Sequence, residues 1–241
     1  MKGGRPMKVV YSEEYKQVYS YDPASNPGRI ESIEFALAGK VDYVEPRPAT
    51  EEEIRAVHTP NHIAQVRREG VYDIAALAAG GAIRAAEIGR SEPCFAVIRP
   101  PGHHASSDSA WGFCYFNNMA IALTSLKRQN KLQKAFILDF DLHVGDGNIN
   151  ILGKTGYVTI LNPGGLDRNE YLKTVANALE KTDADMIAIS AGFDNHEADW
   201  GGLLATEDYT TMGRLVREAA LRNQGGCFGI LEGGYNHSVL G

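Results

Sequence analysis

No stretch of this chain approaches the roughly 20 consecutive apolar residues that a membrane span requires. The opening MKGGRPMKVVYS carries charge but lacks the apolar centre of a secretion signal. These two absences lead to the expectation of a cytoplasmic protein with no membrane partner. Cysteine is scarce as well: Cys94, Cys114 and Cys227 stand far apart, form neither a C-x-x-C pair nor an even disulfide framework, and fit a reducing compartment. An excess of basic charge is also missing. The net charge of -6 argues against a nucleic-acid partner, because displacing counterions from a phosphate backbone needs a basic face. No repeat, low-complexity tract or Pro/Gly/Ser-rich linker divides the sequence. With 44% apolar and 22% charged residues, disorder is excluded and one domain over 1–241 is expected.

What is present is an alternation of short apolar runs and helical patterns. Strands are predicted at 8–12, 41–46, 94–100, 135–140, 157–162, 186–191 and 227–232, most of them continuously apolar as strands buried on both faces are. Thr50 followed by Glu53 is a capping-box signature for a helix from 51. Thr59 and Pro60 start another, since proline at the first helical position forfeits only a bond that has no partner. Further helices are predicted over 73–89, 117–130, 169–181 and 207–223, the last ending at Gly225 and Gly226. The alternation implies an α/β fold with a parallel sheet flanked by helices on both faces.

In such a sheet ligands bind outside the carboxyl ends of the strands. The segments after the predicted strands are RPPGHHA, DFDLHVGDGN, LNPGG, SAGFDNHEAD and LEGGYN, so ionisable groups converge on one rim. Asp141 and His143 are two apart and share a face on an extended strand exit. Asp194, ending a different strand, is the natural third ligand, and two carboxylates with one imidazole leave the open position of a catalytic zinc site. Such an ion polarises a carbonyl and acidifies water. His103 and His104 are the candidate proton acceptors. Asp139 and Asp146 are then assigned to orient one histidine each through its second ring nitrogen. Tyr235, after two glycines, can donate to a developing oxyanion.

Taken singly these motifs are weak: a lone D-x-H is usually a solvated loop, G-G-Y a turn, Cys114 a buried thiol. Their joint occurrence at the strand ends of one sheet carries the functional reading. His58 and His62 have zinc-protease spacing, but H-T-P-N-H lacks the glutamate base, and they are read as surface histidines. The N-H-S triplet at Asn236 is dismissed as a glycosylation signal for want of a leader. His196 is read as solvated beside Glu197 and Asp199.

The segments RPPGHHA (99–105), WGFCYFNNMAIA (111–122), LDFDLHVGDGN (138–148), SAGFDNHEADWGGLLATEDY (190–209) and LEGGYN (231–236), with NPGRIESI (26–33), together resemble the histone deacetylase superfamily, which includes acetylpolyamine amidohydrolases. The resemblance spans nearly the whole chain. It implies the arginase-like α/β fold and a single zinc ion held by Asp141, His143 and Asp194. By the same resemblance His104 is the general base oriented by Asp146, and His103, paired with Asp139, stays protonated as an electrostatic and general-acid group. Tyr235 stabilises the oxyanion, and Gly112 and Phe113 wall the acyl-lysine channel. A potassium ion is implied near Asp139, Asp141 and His143. The implied reaction is hydrolysis of acetyl-lysine, an acetylated polyamine or another acylated amine.

Three departures from the family pattern stand out. No aromatic residue follows YVTI to face Phe113, so Asn162, Leu166 or Tyr171 is expected on that wall. GVYDIA (70–75) replaces a longer acidic loop, leaving Asp73 either as a substrate-binding acid or as a helix N-cap. The chain stops after the tyrosine turn, which suggests exposed apolar surface and possible homo-oligomer formation. Two rival functions are a binuclear ureohydrolase, disfavoured because HHA offers no bridging acids, and a silent acyl-amine binding module, disfavoured because binding needs neither base nor oxyanion donor.

Overall fold

The structure, a computed structural model, describes residues 6–241. All seven predicted strands form: β1 Met7–Val10, β2 Val41–Val44, β3 Cys94–Ala96, β4 Ala135–Asp139, β5 Val158–Leu161, β6 Met186–Ala191 and β7 Gly226–Leu231. They make one sheet in the order β2-β1-β3-β7-β6-β4-β5, with every pairing parallel. Strands β4 and β7 in the interior of the sheet are buried at every residue, whereas β2 and β5 at its edges are only partly covered.

The helices are α1 Arg29–Leu37, α2 Glu51–Arg55, α3 Pro60–Arg68, α4 Tyr72–Gly89, α5 Asn118–Arg128, α6 Asp146–Leu152, α7 Arg168–Lys181, α8 Thr206–Arg222 and α9 His237–Leu240. The capping box at α2 is complete, with Thr50 and Glu53 each accepting from the other's backbone N–H. Thr59 Oγ1 accepts from His62 N at the start of α3. The predicted stop of α8 differs in mechanism: Gln224 takes the left-handed conformation (φ 53°), while Gly225 and Gly226 lie so close to the backbones of Asp185 and Gly89 that no Cβ fits. Helices α1, α6 and α9 have no counterpart among the predicted elements, because each begins inside a stretch that reads as a loop motif.

The sheet divides two hydrophobic cores, and β4 shows how. Ala135 and Ile137 point into the core shared with α4 and α5, while Phe136 and Leu138 point into the core shared with α7 and α8, as the two-residue alternation of a strand dictates. A fully buried leucine such as Leu138 contributes about 1.5–3 kcal/mol of burial free energy. These cores fix β3, β4, β6 and β7 side by side, and with them the loops at their carboxyl ends. Beside α9, an apolar cavity of about 280 Å3 is bordered by Ile33, Leu37, Phe95 and Leu240.

Candidate active site and metal centre

Strand β4 ends at Asp139, and the turn before α6 presents Asp141 and His143. Asp194 follows β6. The three offer ligand atoms that all lie within 4.8 Å of one another. His143 Nδ1 is 3.2 Å from Asp141 Oδ1 and 3.1 Å from Asp194 Oδ2. The carboxylates are held by backbone donors: Leu142 N to Asp194 Oδ1 at 3.0 Å, and Gly233 N to Asp141 Oδ2 at 2.9 Å. Two buried carboxylates and an imidazole with a shared focus form a donor set suited to zinc.

The burial of two neighbouring carboxylates splits their behaviour. Burial, together with the charge of Asp141, pushes Asp194 up to about 7. Asp141 is also penalised by burial, but the charge of His103 and the hydrogen bonds from His143 win and hold it below the ordinary carboxylate range. A cation at their focus relieves this repulsion.

The two histidines before α5 are opposites. For His103, burial disfavours charge, yet Asp141 and Asp139 outweigh it and hold the imidazole protonated well above its usual range; its Nδ1 lies 3.3 Å from Asp139 Oδ2. His104 is pushed down to about 4 by burial and by His103, so it is neutral near pH 7, and its Nδ1 lies 2.7 Å from Asp146 Oδ1. Both aspartate pairings expected from the sequence are therefore present. A second potential ligand group, His103, Cys114 and Glu232, is a poor metal site: a protonated imidazole has no lone pair to give, and burial raises the Cys114 thiol well above its ordinary range.

Several positioning groups escaped sequence reasoning. Glu232 is fully buried and its Oε2 accepts from Gly102 N and His103 N at 2.7 and 3.2 Å, fixing the histidine loop. Asp199 accepts from Tyr235 N and Asn236 N, both at 2.7 Å, and so anchors the tyrosine turn. Arg29 donates to the carbonyls of Gly234 and Glu232 and lies 5.6 Å from the Tyr235 ring centre. None of these bonds has a local sequence signature, because they join backbone to side chains far apart in the chain.

The cavity that His143 lines has a volume of about 140 Å3 and includes Gly112, Phe113 and Tyr235 in its walls. Gly112 adopts φ +62°, and a Cβ there would sit 3.1 Å from His104 Cδ2, so glycine lets this wall close on the histidine. Phe113 meets Tyr235 edge to face at 5.6 Å.

The wall opposite corrects the expectation. Leu166 is fully exposed, Tyr171 is buried with its hydroxyl toward Phe140 O, and Asn162 Oδ1 accepts from Gly145 N. None of them lines this cavity. Trp200 does: its ring stacks on Tyr235 at 4.1 Å and meets Phe113 edge on at 6.4 Å. Trp111 is the other unforeseen aromatic in the wall.

Other expectations also change. His58 and His62 are buried rather than on the surface: His58 Nε2 accepts from Asn117 N at 2.9 Å, and His62 Nε2 lies 2.7 Å from Tyr115 O. His196 is buried too, with Nδ1 accepting from Ala198 N and Nε2 3.1 Å from Thr206 Oγ1. Asp73 is exposed in the first turn of α4, whose N-cap is Val71. The acid bordering the neighbouring cavity of about 200 Å3 is Glu69.

A family model described as the histone deacetylase domain matches residues 68–163 and 152–241. The chain is 31% identical to a probable deacetylase of Archaeoglobus fulgidus, covering 95% of this chain and 81% of that protein. A probable deacetylase of Methanothermobacter thermautotrophicus is 29% identical, covering 98% and 87% respectively. The polyamine deacetylase HDAC10 of Danio rerio is 26% identical over 85% of this chain and 40% of its own length. The fold is similar to the crystal structure of the HDA15 HD domain, with a TM-score of 0.82 at 24% identity, covering 98% of this chain and 86% of that one.

Proposed function

The chain belongs to the histone deacetylase family, and from that premise we propose that it is a zinc-dependent amidohydrolase that removes an acetyl or other acyl group from acetyl-lysine, an acetylated polyamine or another small amine. The observation that carries this reading is one cavity lined by His143, His103, His104 and Tyr235, in which Nδ1 of each adjacent histidine faces its own aspartate. Asp141, His143 and Asp194 would hold a zinc ion, which would supply Lewis acidity and lower the pKa of water.

The rest of the chemistry belongs to the side chains. His104, with Nδ1 facing Asp146, is free to take a proton from the attacking water at Nε2. His103, kept protonated by Asp141 and Asp139 against its burial, supplies positive charge and a proton for the leaving amine. Burial raises the Tyr235 phenol, so it stays protonated and donates to the oxyanion. Gly112, Phe113 and Trp200 form the walls along which the acyl chain lies. Buried Asp139 Oδ1 lacks a partner, which suits potassium near Asp139, Asp141 and His143.

Residues 1–241 act in this reading as one catalytic unit in the cytoplasm, and the acidic net charge suits a cationic amine partner over nucleic acid. No helix among the described residues is long and apolar enough to cross a membrane. Self-association through apolar surface near α9 belongs to the same reading, and constant monomeric mass by light scattering across concentration would count against it. The central test is amine release from an acetyl-lysine peptide and an acetylated polyamine by zinc-loaded protein, with chelated protein as blank. Zinc-dependent turnover of either supports the hydrolase; zinc binding at one per chain with no turnover of either would favour a binding module.

A further inference from the structure

We infer that Trp111 is a positioning residue for the general base, acting through the His104–Asp146 pair; the inference rests on the deacetylase reading. The Trp111 ring lies 3.7 Å from the His104 ring, centre to centre, with 33° between their planes. The His103 ring is 4.0 Å from the same imidazole. The Trp111 Nε1–H also donates to both oxygens of Asp146, at 3.1 and 2.9 Å. One carboxylate is thus shared by the base and by the indole stacked on it.

The arrangement does more than fill space. A tryptophan that only packed would hide its ring, yet Trp111 remains 53% exposed. The Asp146 side chain is 41% exposed, so without the indole N–H it is free to turn toward water. The left-handed Gly112 that follows leaves room for the 111–113 segment to press on His104. During catalysis His104 changes from neutral to cationic, and an indole face attracts an imidazolium more strongly than a neutral imidazole. Contact that strengthens as charge develops accelerates the step rather than merely binding substrate. The bidentate grip on Asp146 keeps its Oδ1 on His104 Nδ1 while this happens.

The test uses the zinc-loaded protein and the variants Trp111→Ala and Trp111→Phe. For Trp111→Ala, kcat is expected to fall about tenfold with KM changed less than about twofold, a loss between those of an exposed and a desolvated cation–π contact. Trp111→Phe, which keeps a ring face but loses the N–H, recovers part of it. Adding Trp111→Ala to His104→Ala costs nothing more if Trp111 acts only through His104. Independently of turnover, the hydrogen-bonded His104 Nδ1 proton, assigned by its loss in His104→Ala, gives a sharp downfield NMR signal in the parent and a broadened one in both Trp111 variants. A raised KM with intact kcat, an additive loss in the double variant, or an unchanged proton signal overturns the inference. Should Trp111→Ala fail to fold, Trp111→Phe decides through the same proton signal. A parent that binds zinc and shows this signal yet turns over nothing refutes the deacetylase reading, while the broadening still decides the contact.

Discussion

Two pairs of histidines lie in this molecule, equally hidden and differently employed. His58 and His62 are 2% and 3% exposed with ring centres 4.9 Å apart; His103 and His104 are 3% and 5% exposed with centres 4.0 Å apart. Burial pushes His58 down to about 3, aided by His62, and pushes His104 down to about 4, aided by His103. The difference lies in what surrounds them. The first pair bonds to the backbone of Asn117 and Tyr115 and thereby pins the segment that carries Phe113 and the start of α5. The second pair faces Asp139, Asp141 and Asp146, so one ring is held charged and the other is poised to receive a proton. Carboxylate partners, rather than burial, separate the proposed base from a latch.

This comparison can be broken most sharply at His104. His104→Ala should lower kcat by about 10²–10⁴-fold while zinc analysis still finds one ion per chain; loss of the ion instead would reassign His104 as a ligand. Asp146→Asn comes next, with a kcat loss of about 10–100-fold, because the ring keeps a neighbour of the same shape without its charge. Steady-state rates close to the parent's would show that the carboxylate does not distinguish the two pairs. The latch predicts the reverse pattern. His58→Leu should leave kcat per folded molecule unchanged but cost about 1–3 kcal/mol of stability, since the buried Asn117 N–H loses its acceptor; urea unfolding with paired kinetics separates the two effects.

Smallest over any single pH unit is the pH dependence of that latch. His58 goes from an ordinary 6.5 in the unfolded chain to about 3 in the folded one, so the native state binds fewer protons. Its contribution is fully present above about 6.5 and is lost as pH falls toward about 3, with a slope of up to about 1.4 kcal/mol per pH unit in between. Denaturation curves across that interval should therefore be less steep in pH for His58→Leu than for the parent. Identical slopes would mean that the His58 ring is not held neutral by the fold.

The strands and the ionisable groups just past them are legible because both come from local patterns. Continuous apolar runs mark strands buried on two faces, and a parallel sheet gathers the loops at their carboxyl ends onto one rim. That logic locates Asp139, Asp141, His143 and Asp194 from the chain alone; the roles of Gly112 and Phe113 come only through family resemblance. It fails for His58, His62 and His196, whose neighbours are backbone groups that no spacing rule identifies. It fails again for Trp111 and Trp200, which close the cavity from loops where nothing periodic constrains direction. Asp199 and Glu232 escape it for a related reason: each binds two consecutive backbone N–H groups of a distant segment.

The proposed ligands and Tyr235 leave the ends of separate strands, with Asp141 and His143 after β4, Asp194 after β6 and Tyr235 after β7. Those strands are neighbours in the sheet but arrive at different times as the chain is made, with α7 and α8 intervening. Such long sequence separation makes bringing the three groups together slow relative to local structure, because loop-closure entropy is paid before the contacts reward it. If Asp141, His143 and Asp194 hold zinc as proposed, tight capture of the ion requires β4 and β6 to have docked side by side. Bound zinc would then add its binding free energy to the native state alone, so that losing the ion and losing the fold become linked failures.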